Sequence, residues 1–105
     1  MATFVMMTKL NHGALSSPRS FQELSAQITA RLRKDCPQVE WWSNYVLLGP
    51  YDYLDIFTAP DVEAAAKVAA IVRSYGHATT EIWPALEWEA FKAVIADMSG
   101  ASASR

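Results

Sequence analysis

The sequence predicts a single α+β domain of the ferredoxin-like type, and three observations lead to it. Segments with strand and helix patterns follow one another in the order β-α-β-β-α-β, with one further helix at the end. The length of 105 residues fits one domain. The first helix has one apolar face and the second is rich in alanine, as suits packing on one side of a sheet. We therefore expect a four-stranded antiparallel sheet with helices on one face.

Four segments carry strand patterns, rich in β-branched, aromatic or other apolar residues: 2–9, 39–48, 53–58 and 79–84. A turn signal, Gly49-Pro50-Tyr51-Asp52, joins the second strand to the third. The first strand is apolar on both faces, with Phe4 and Met6 on one side and Val5 and Met7 on the other. A strand of this kind is covered on both faces.

Three segments carry helix patterns: 17–34, about 61–75 and 87–98. Either Ser17 before a proline, or Ser20 with Glu23, supplies the first N-terminal cap. Gly76 suits the C-terminal cap of the second helix. The third helix places several large apolar residues on one side: Trp88, Phe91, Val94, Ile95 and Met98. We expect the domain to span residues 1–98, with 99–105 as a flexible tail.

The composition of the chain indicates which classes of partner the protein does not bind. The net charge is −2 and there is no basic stripe, so we expect no nucleic-acid binding. No apolar run approaches the roughly 20 residues that a bilayer requires, and no signal peptide is recognisable. A single cysteine, Cys36, suits a reducing cytoplasm. These features predict a cytoplasmic protein without a membrane partner.

The apolar content predicts a homodimer. Hydrophobic residues make up 51% of the chain and charged residues only 19%, which is more apolar material than so small a core holds. The helices cover one side of the predicted sheet, and the other side has no cover from the chain itself. We expect two copies to pair through these open faces, giving a dimer with an enclosed, barrel-like interior.

The sequence resembles the GYD-domain proteins. The resemblance rests on Gly49-x-Tyr51-Asp52 with the strand after it, on Ala59-Pro60-Asp61 before an alanine-rich helix, and on the segments TFVMMTKL and Thr79-Thr-Glu. It spans nearly the whole chain and implies a dimeric α/β barrel typical of bacterial proteins, largely uncharacterised in function. The chain departs from the family pattern at a few positions: Asp55 in a strand that is usually apolar, Thr58 in place of an acidic residue, and the bulky pair Trp41-Trp42.

Asp55 is the most informative candidate for chemistry. It lies in the middle of a strand that the β-α-β-β-α-β order places centrally, where a carboxylate needs hydrogen bonds, a cation or water. Burial would raise its pKa and suit it to general-base work. The alternative, which we favour about two to one, is that it only solvates a wet cavity.

The residues that share a face with Asp55 depend on the turn. A two-residue loop at Pro50-Tyr51 would place Val46 opposite Asp55 and group alternate residues of both strands on the open face, unless a bulge reverses the assignment. Leu54 and Ile56, with Trp41, Tyr45 and Leu47, would then pack under the helices. Together with a histidine after the second helix, the candidate ligand-binding residues are Trp42, Asn44, Tyr53, Asp55, Phe57 and His77.

Other chemistries have little support. His12 and His77 lack the spacing of metal ligands, so we expect no metal, and neither falls on a sheet face suited to haem. Nothing local would activate the Cys36 thiol. His77 more readily serves the end of the second helix. We expect no cofactor.

Two functional hypotheses follow. The first is a dimeric module that binds a small apolar ligand between its sheets. The second is a cofactor-independent enzyme, similar to small monooxygenases or isomerases, acting on an aromatic or apolar substrate. In the second, Asp55 is the base or orienting group, Asn44 or His77 donates a hydrogen bond, and Trp42 and Tyr53 form walls.

Overall fold

The computed structural model describes residues 1–11 and 17–103, with side chains described as far as Met98. The elements are β1 (Ala2–Leu10), α1 (Pro18–Asp35), β2 (Glu40–Val46), β3 (Tyr53–Ala59), α2 (Val62–Ser74), β4 (Ala78–Ala85) and α3 (Trp88–Ala103). This is the predicted order, and α3 continues past Met98, where the sequence pattern ends the helix. His12 of the predicted first turn and residues 104–105 of the predicted tail lie outside the described ranges.

The four strands form one antiparallel sheet in the order β2-β3-β1-β4. The two central strands are therefore β1 and β3, as the split β-α-β arrangement requires. This confirms the predicted ferredoxin-like α+β fold and places Asp55 in a central strand.

The helix ends follow the capping chemistry of the sequence. Ser17 has extended backbone angles and its side chain accepts a hydrogen bond from the Ser20 backbone N–H. Of the two predicted caps, Ser17 is therefore the one that forms. The Asp61 side chain caps α2 in the same way, by accepting from the Ala64 N–H at 2.8 Å. Gly76 follows α2 with a φ of 73°, a left-handed conformation that glycine adopts without strain.

The predicted register between β2 and β3 is wrong by two residues. Val46 lies opposite Tyr53, and Asn44 lies opposite Asp55. The connection is longer than a two-residue turn, because the Leu47 N–H donates to the Asp52 carbonyl at 2.8 Å and closes a wider loop. A shift of two residues preserves the alternation of faces, so Asn44 and Asp55 still share one face.

A β-bulge in β2 separates the two adjacent tryptophans. Trp41 lies opposite Phe57 and Ser43 lies opposite Ile56, so Trp42 is an extra residue in the ladder. The Trp41 ring packs on Phe57, with centroids 4.9 Å apart. The Trp42 ring lies on the other side of the sheet, where Nε1 donates to the Thr58 hydroxyl. The prediction that Trp42 and Asn44 share a face is therefore wrong.

The helices cover the side of the sheet that carries Asp55. The core contains Phe4 and Met6 of β1 with Phe57 of β3, and Phe57 and the α2 residue Val68 are fully buried. In the β1–β3 ladder, Phe4 lies opposite Phe57 and Met6 opposite Asp55, so Asp55 shares this helix-covered side. The prediction that Tyr53, Asp55 and Phe57 face the open side is therefore wrong. Because β1 and β3 are apolar on both faces, their pattern does not show which face the helices bury.

No helix of the described ranges lies over the opposite side of the sheet, here called the open face. It carries the alternate residues of each strand: Val5, Met7, Trp42, Leu54, Ile56, Thr58, Glu81 and Trp83. The predicted packing of Leu54 and Ile56 under the helices is therefore also wrong. Trp42 is 66% exposed and Trp83 45% exposed. None of the helices in the described ranges combines the length and hydropathy that crossing a bilayer requires.

Candidate functional site

A cleft of about 460 Å³ lies between α1 and the helix-covered side of the sheet. Helix α1 contributes the apolar side of this cleft through the residues that recur at helical spacing: Phe21, Leu24, Ile28 and Leu32. The sheet contributes Trp41 and Val46, with a small set of polar side chains between them. An apolar cleft of this size with few polar groups has the character of a small-molecule site.

The polar centre of the cleft is a hydrogen-bonded pair on neighbouring strands. Asn44 Nδ2 donates to Asp55 Oδ1 at 2.5 Å, because the two residues lie directly opposite each other in the β2–β3 ladder. Burial raises the pKa of the Asp55 carboxyl, and the hydrogen bond from Asn44 opposes that rise. Asn44 occupies one carboxylate oxygen, and Oδ2 has no hydrogen-bond partner among the described residues. Asp55 therefore offers one oxygen to whatever enters the cleft.

Tyr53 lies two residues from Asp55 on the same face of β3. Its ring meets Phe21 of α1 edge-on, with centroids 5.8 Å apart, and this contact joins the first turn of α1 to the sheet. Burial raises the pKa of Tyr53, with further contributions from the charges of Asp52 and Asp55. The phenol is therefore neutral at pH 7 and retains its proton as a hydrogen-bond donor.

His77 lines the same cleft at its far end. It precedes Ala78, which lies opposite Leu10 on β1, so two strand spacings and several residues along the strands separate it from Asp55. Ordinary strand dimensions put the two Cα atoms on the order of 20 Å apart. Direct cooperation of His77 with Asp55 on one atom is not supported by this arrangement.

The His77 imidazole is neutral at physiological pH. Burial lowers its pKa, and its Nδ1 is buried without a hydrogen-bond partner. A protonated Nδ1 would be a buried, unsatisfied donor, so the neutral ring keeps its proton on Nε2.

The six predicted site residues therefore divide into three groups. Asn44, Tyr53, Asp55 and His77 line the cleft. Phe57 is fully buried beneath it as part of the core. Trp42 lies on the open face because of the bulge, and Trp41 takes its place in the cleft wall.

The structure also gives a role to a residue that the sequence suggested only as part of a turn. Asp52 Oδ2 accepts a hydrogen bond from the Leu10 backbone N–H at 2.7 Å, and the Asp52 N–H donates to the Thr8 carbonyl at 2.8 Å. Asp52 thus fastens the β2–β3 loop to the end of β1, beside the cleft. The sequence signals were its place in the Gly49-x-Tyr51-Asp52 pattern and its residue type, since aspartate often bonds to backbone near turns.

Tyr51 has a comparable role on the open face. Its hydroxyl donates to Glu81 Oε2 at 2.8 Å, and Trp83 Nε1 donates to Glu81 Oε1 at 3.2 Å. The Tyr51 and Trp83 rings meet edge-on, with centroids 6.4 Å apart. Both side chains of the Tyr51-Asp52 pair therefore tie the loop to other strands, Asp52 to β1 and Tyr51 to β4.

Within the described ranges, no three histidine, cysteine, aspartate or glutamate side chains converge to hold a metal ion. The Cys36 thiol is buried, and burial raises its pKa. The cleft therefore offers a carboxylate, an amide, an imidazole, two phenols and the Arg33 guanidinium, with hydroxyls of Thr8, Ser25 and Thr29, within largely apolar walls.

Fold and cleft together define a small ferredoxin-like α+β domain with a pocket beneath its first helix. The family model of the GYD domain matches residues 4–95, and the chain belongs to the GYD-domain family. Its fold is similar to that of At3g17210 from Arabidopsis thaliana, a crystal structure with a TM-score of 0.53 and 17% sequence identity. That match covers 83% of this chain and 95% of the Arabidopsis chain. No curated protein matches the sequence.

Proposed function

We propose that this GYD-domain protein binds a small, largely apolar ligand in the cleft between α1 and the sheet. The cleft itself carries the proposal, because it has a volume of about 460 Å³, largely apolar walls and a hydrogen-bonding centre at Asn44 and Asp55. This location replaces the expectation of a ligand between two sheets, since Asn44, Tyr53 and Asp55 lie under α1.

The polar centre favours a ligand with a hydrogen-bond donor. Asp55 Oδ2 is an acceptor, and its carboxylate would repel an anionic group placed beside it. The flanking rings of Phe21, Trp41 and Tyr53 suit a flat, aromatic body. A neutral aromatic alcohol or phenol combines these properties.

The proposal is tested with a matched pair of probes, 2-naphthol and 2-methoxynaphthalene, which differ in the donor. Binding is followed by chemical-shift changes in the ¹⁵N-labelled protein. We expect 2-naphthol to bind more tightly and to shift the amides of Asn44 and Asp55. In Asp55→Val the preference for 2-naphthol should disappear, because the acceptor is gone.

A second pair of variants tests the location. Ser25→Trp places a large side chain in the cleft from α1, whereas Ala26→Trp places the same side chain on the solvent side of the same helix. Ser25→Trp should abolish binding and Ala26→Trp should leave it intact. Equal binding by both variants, or shifts confined to residues away from the cleft, would refute the proposed site.

We further propose that the chain forms a homodimer through the open face. The exposure of Trp42 and Trp83 on a sheet face without helices supports this proposal. Sedimentation velocity at micromolar concentration is expected to give twice the 11.6 kDa chain mass. A single species of chain mass at these concentrations would refute it. The buried, unpaired Cys36 thiol is compatible with the cytoplasmic location that the sequence predicts.

A cofactor-independent enzyme is the second candidate function. The raised pKa of Asp55 in a largely apolar cleft supports it, because such a carboxylate is a stronger base than an exposed one. Oδ2 would accept a proton from a carbon or hydroxyl acid while Asn44 holds the other oxygen. The test is turnover of any ligand that copurifies, measured by liquid chromatography and mass spectrometry. Unchanged turnover by Asp55→Asn would exclude this role.

A further inference from the structure

Helix α3 makes no buried contact with its own domain over the part whose side chains are described. Every residue from Leu86 to Met98 is exposed, although the helix carries a stripe of large apolar side chains: Trp88, Phe91, Val94, Ile95 and Met98. These recur at helical spacing, so they share one face. Trp88 is 64% exposed and Met98 65% exposed, and even the least exposed member of the stripe, Phe91, is 41% exposed.

The dimensions of the chain show the same separation. The radius of gyration is 17.3 Å and the longest extent is 63 Å, whereas a compact chain of this length has a radius near 13 Å. A helix of 16 residues is about 24 Å long, which accounts for much of the excess. Helices of this length are marginal in water without tertiary packing. A partner surface that covers the apolar stripe would therefore stabilise α3.

We infer that α3 is an exchanged arm that packs its apolar stripe onto a second copy of this chain. This inference rests on the homodimer proposed above and adds to it a second contact surface. Four exposed aromatic side chains of α3 and the open face, Trp42, Trp83, Trp88 and Phe91, expose roughly 400 Å². That is about half of what one partner contributes to a stable interface, and the aliphatic residues of both surfaces add to it.

The charge of α3 argues for a protein partner over a lipid surface. Outside the stripe the helix carries Glu89, Lys92 and Asp97, with Glu87 just before it. Lys92 pairs with Glu89 at 3.2 Å, which leaves this segment acidic. Helices that lie on anionic membranes are rich in lysine and arginine on the polar face. The second copy, which the open-face dimer brings alongside α3, is the better match.

The test compares two double variants of the full chain by sedimentation equilibrium. Phe91→Glu/Ile95→Glu places two charges in the stripe, and Ala93→Glu/Ala96→Glu places the same two charges on the opposite side of α3. We expect the stripe variant to raise the dimer dissociation constant about 100-fold or more, at about tenfold for each side chain. The control variant should stay within about threefold of wild type, a shift well under 1 kcal/mol.

Hydrogen exchange on the wild-type protein gives a measurement that does not depend on a variant folding. The α3 amides should be protected in the dimer and exchange rapidly after dilution below the dissociation constant, while β1 and β3 stay protected. Protection of α3 that persists in the monomer would overturn the inference.

The remaining outcomes separate the two proposals. A wild-type dimer whose dissociation constant is the same in both variants would overturn the arm and leave the open-face dimer standing. A wild-type protein that is monomeric throughout would overturn both. Cosedimentation of monomeric wild type with vesicles of phosphatidylcholine and phosphatidylglycerol at 3:1 would overturn the arm in favour of a lipid surface.

Discussion

The hydrogen bond from the Leu10 N–H to the Asp52 carboxylate should make a large contribution to stability for a single side chain. It is 2.7 Å long, partly buried, and joins residues 42 positions apart in the chain. Hydrogen bonds to charged groups contribute about 1.5–3 kcal/mol, and loss of the acceptor leaves the Leu10 N–H without its partner. We therefore expect Asp52→Ala to lower the free energy of unfolding by about 2 kcal/mol.

The assay is urea denaturation followed by tryptophan fluorescence and by circular dichroism, at two protein concentrations so that any assembly step is separated from unfolding. For a chain of this length the same change corresponds to a fall of roughly 10 °C in melting temperature. Asp52→Asn is the matched control, because its side-chain oxygen can still accept from Leu10. It should cost less than half as much as Asp52→Ala.

Two results would refute this reasoning. If Asp52→Ala unfolds within about 0.5 kcal/mol of wild type, the usual range for neutral surface changes, the loop is held by its backbone hydrogen bonds alone. If Asp52→Asn is as destabilised as Asp52→Ala, the lost quantity is the charge and not the hydrogen bond to Leu10.

Three further predictions concern other buried groups. Burial raises the pKa of Asp55, so its contribution to stability is present below about pH 3.9 and is lost as the pH rises through the raised pKa. Urea titrations should therefore show that wild type loses stability relative to Asp55→Asn over that pH range. At pH 7 Asp55→Asn should be the more stable protein. Parallel loss in both proteins would contradict this. Thr80→Val should lower the free energy of unfolding by about 1–2 kcal/mol, because the Thr80 hydroxyl is hydrogen-bonded to that of Thr8 at 3.1 Å in the core. The double variant Thr8→Val/Thr80→Val should lose less than the sum of the two single variants. Strict additivity would show that the pair is not coupled. Cys36 is 6% exposed, and burial raises the pKa of its thiol. It should therefore react with Ellman's reagent at pH 8 at least about 100-fold more slowly than in the urea-unfolded chain. Comparable rates would show that the thiol is accessible in the folded protein.

The fold could be predicted from local patterns because a few residues indicate where each helix and strand lies. Ser17 before a proline starts α1, Asp61 starts α2, and Gly76 ends it. Once the order of elements is known, the sheet order and the central position of Asp55 follow from the rules for connecting strands. None of these inferences depends on contacts between distant residues.

The buried face could not be predicted in the same way. Phe57 and Ile56 are both apolar, so alternation alone does not show which of them meets the helices. The choice depends on how α1 and α2 pack, which is a property of the whole domain. The open-face assignment of Asp55 therefore failed, although its grouping with Asn44 and Tyr53 held.

The sequence correctly predicted that Asn44, Tyr53 and Asp55 share one face of the sheet. Residues two apart on one strand share a face at any register, and residues on paired strands keep their common face when the register error is an even number of residues. This kept Asn44, Tyr53 and Asp55 together. The position of Trp41 under the helices was predicted and is confirmed, whereas the contribution of Phe21 to the cleft needed the position of α1, which has no signature in the sequence.

The bulge also bears on how relatives of this chain should be aligned. Because Trp41 lies opposite Phe57 and Ser43 opposite Ile56, a chain without residue 42 would pair its neighbours in an uninterrupted ladder. Such a deletion would remove one outward indole and leave Trp41 and Asn44 where they are. A gap of one residue at this position, in any comparison of homologues, would therefore mark a change of the outer surface and not a shift of the pocket.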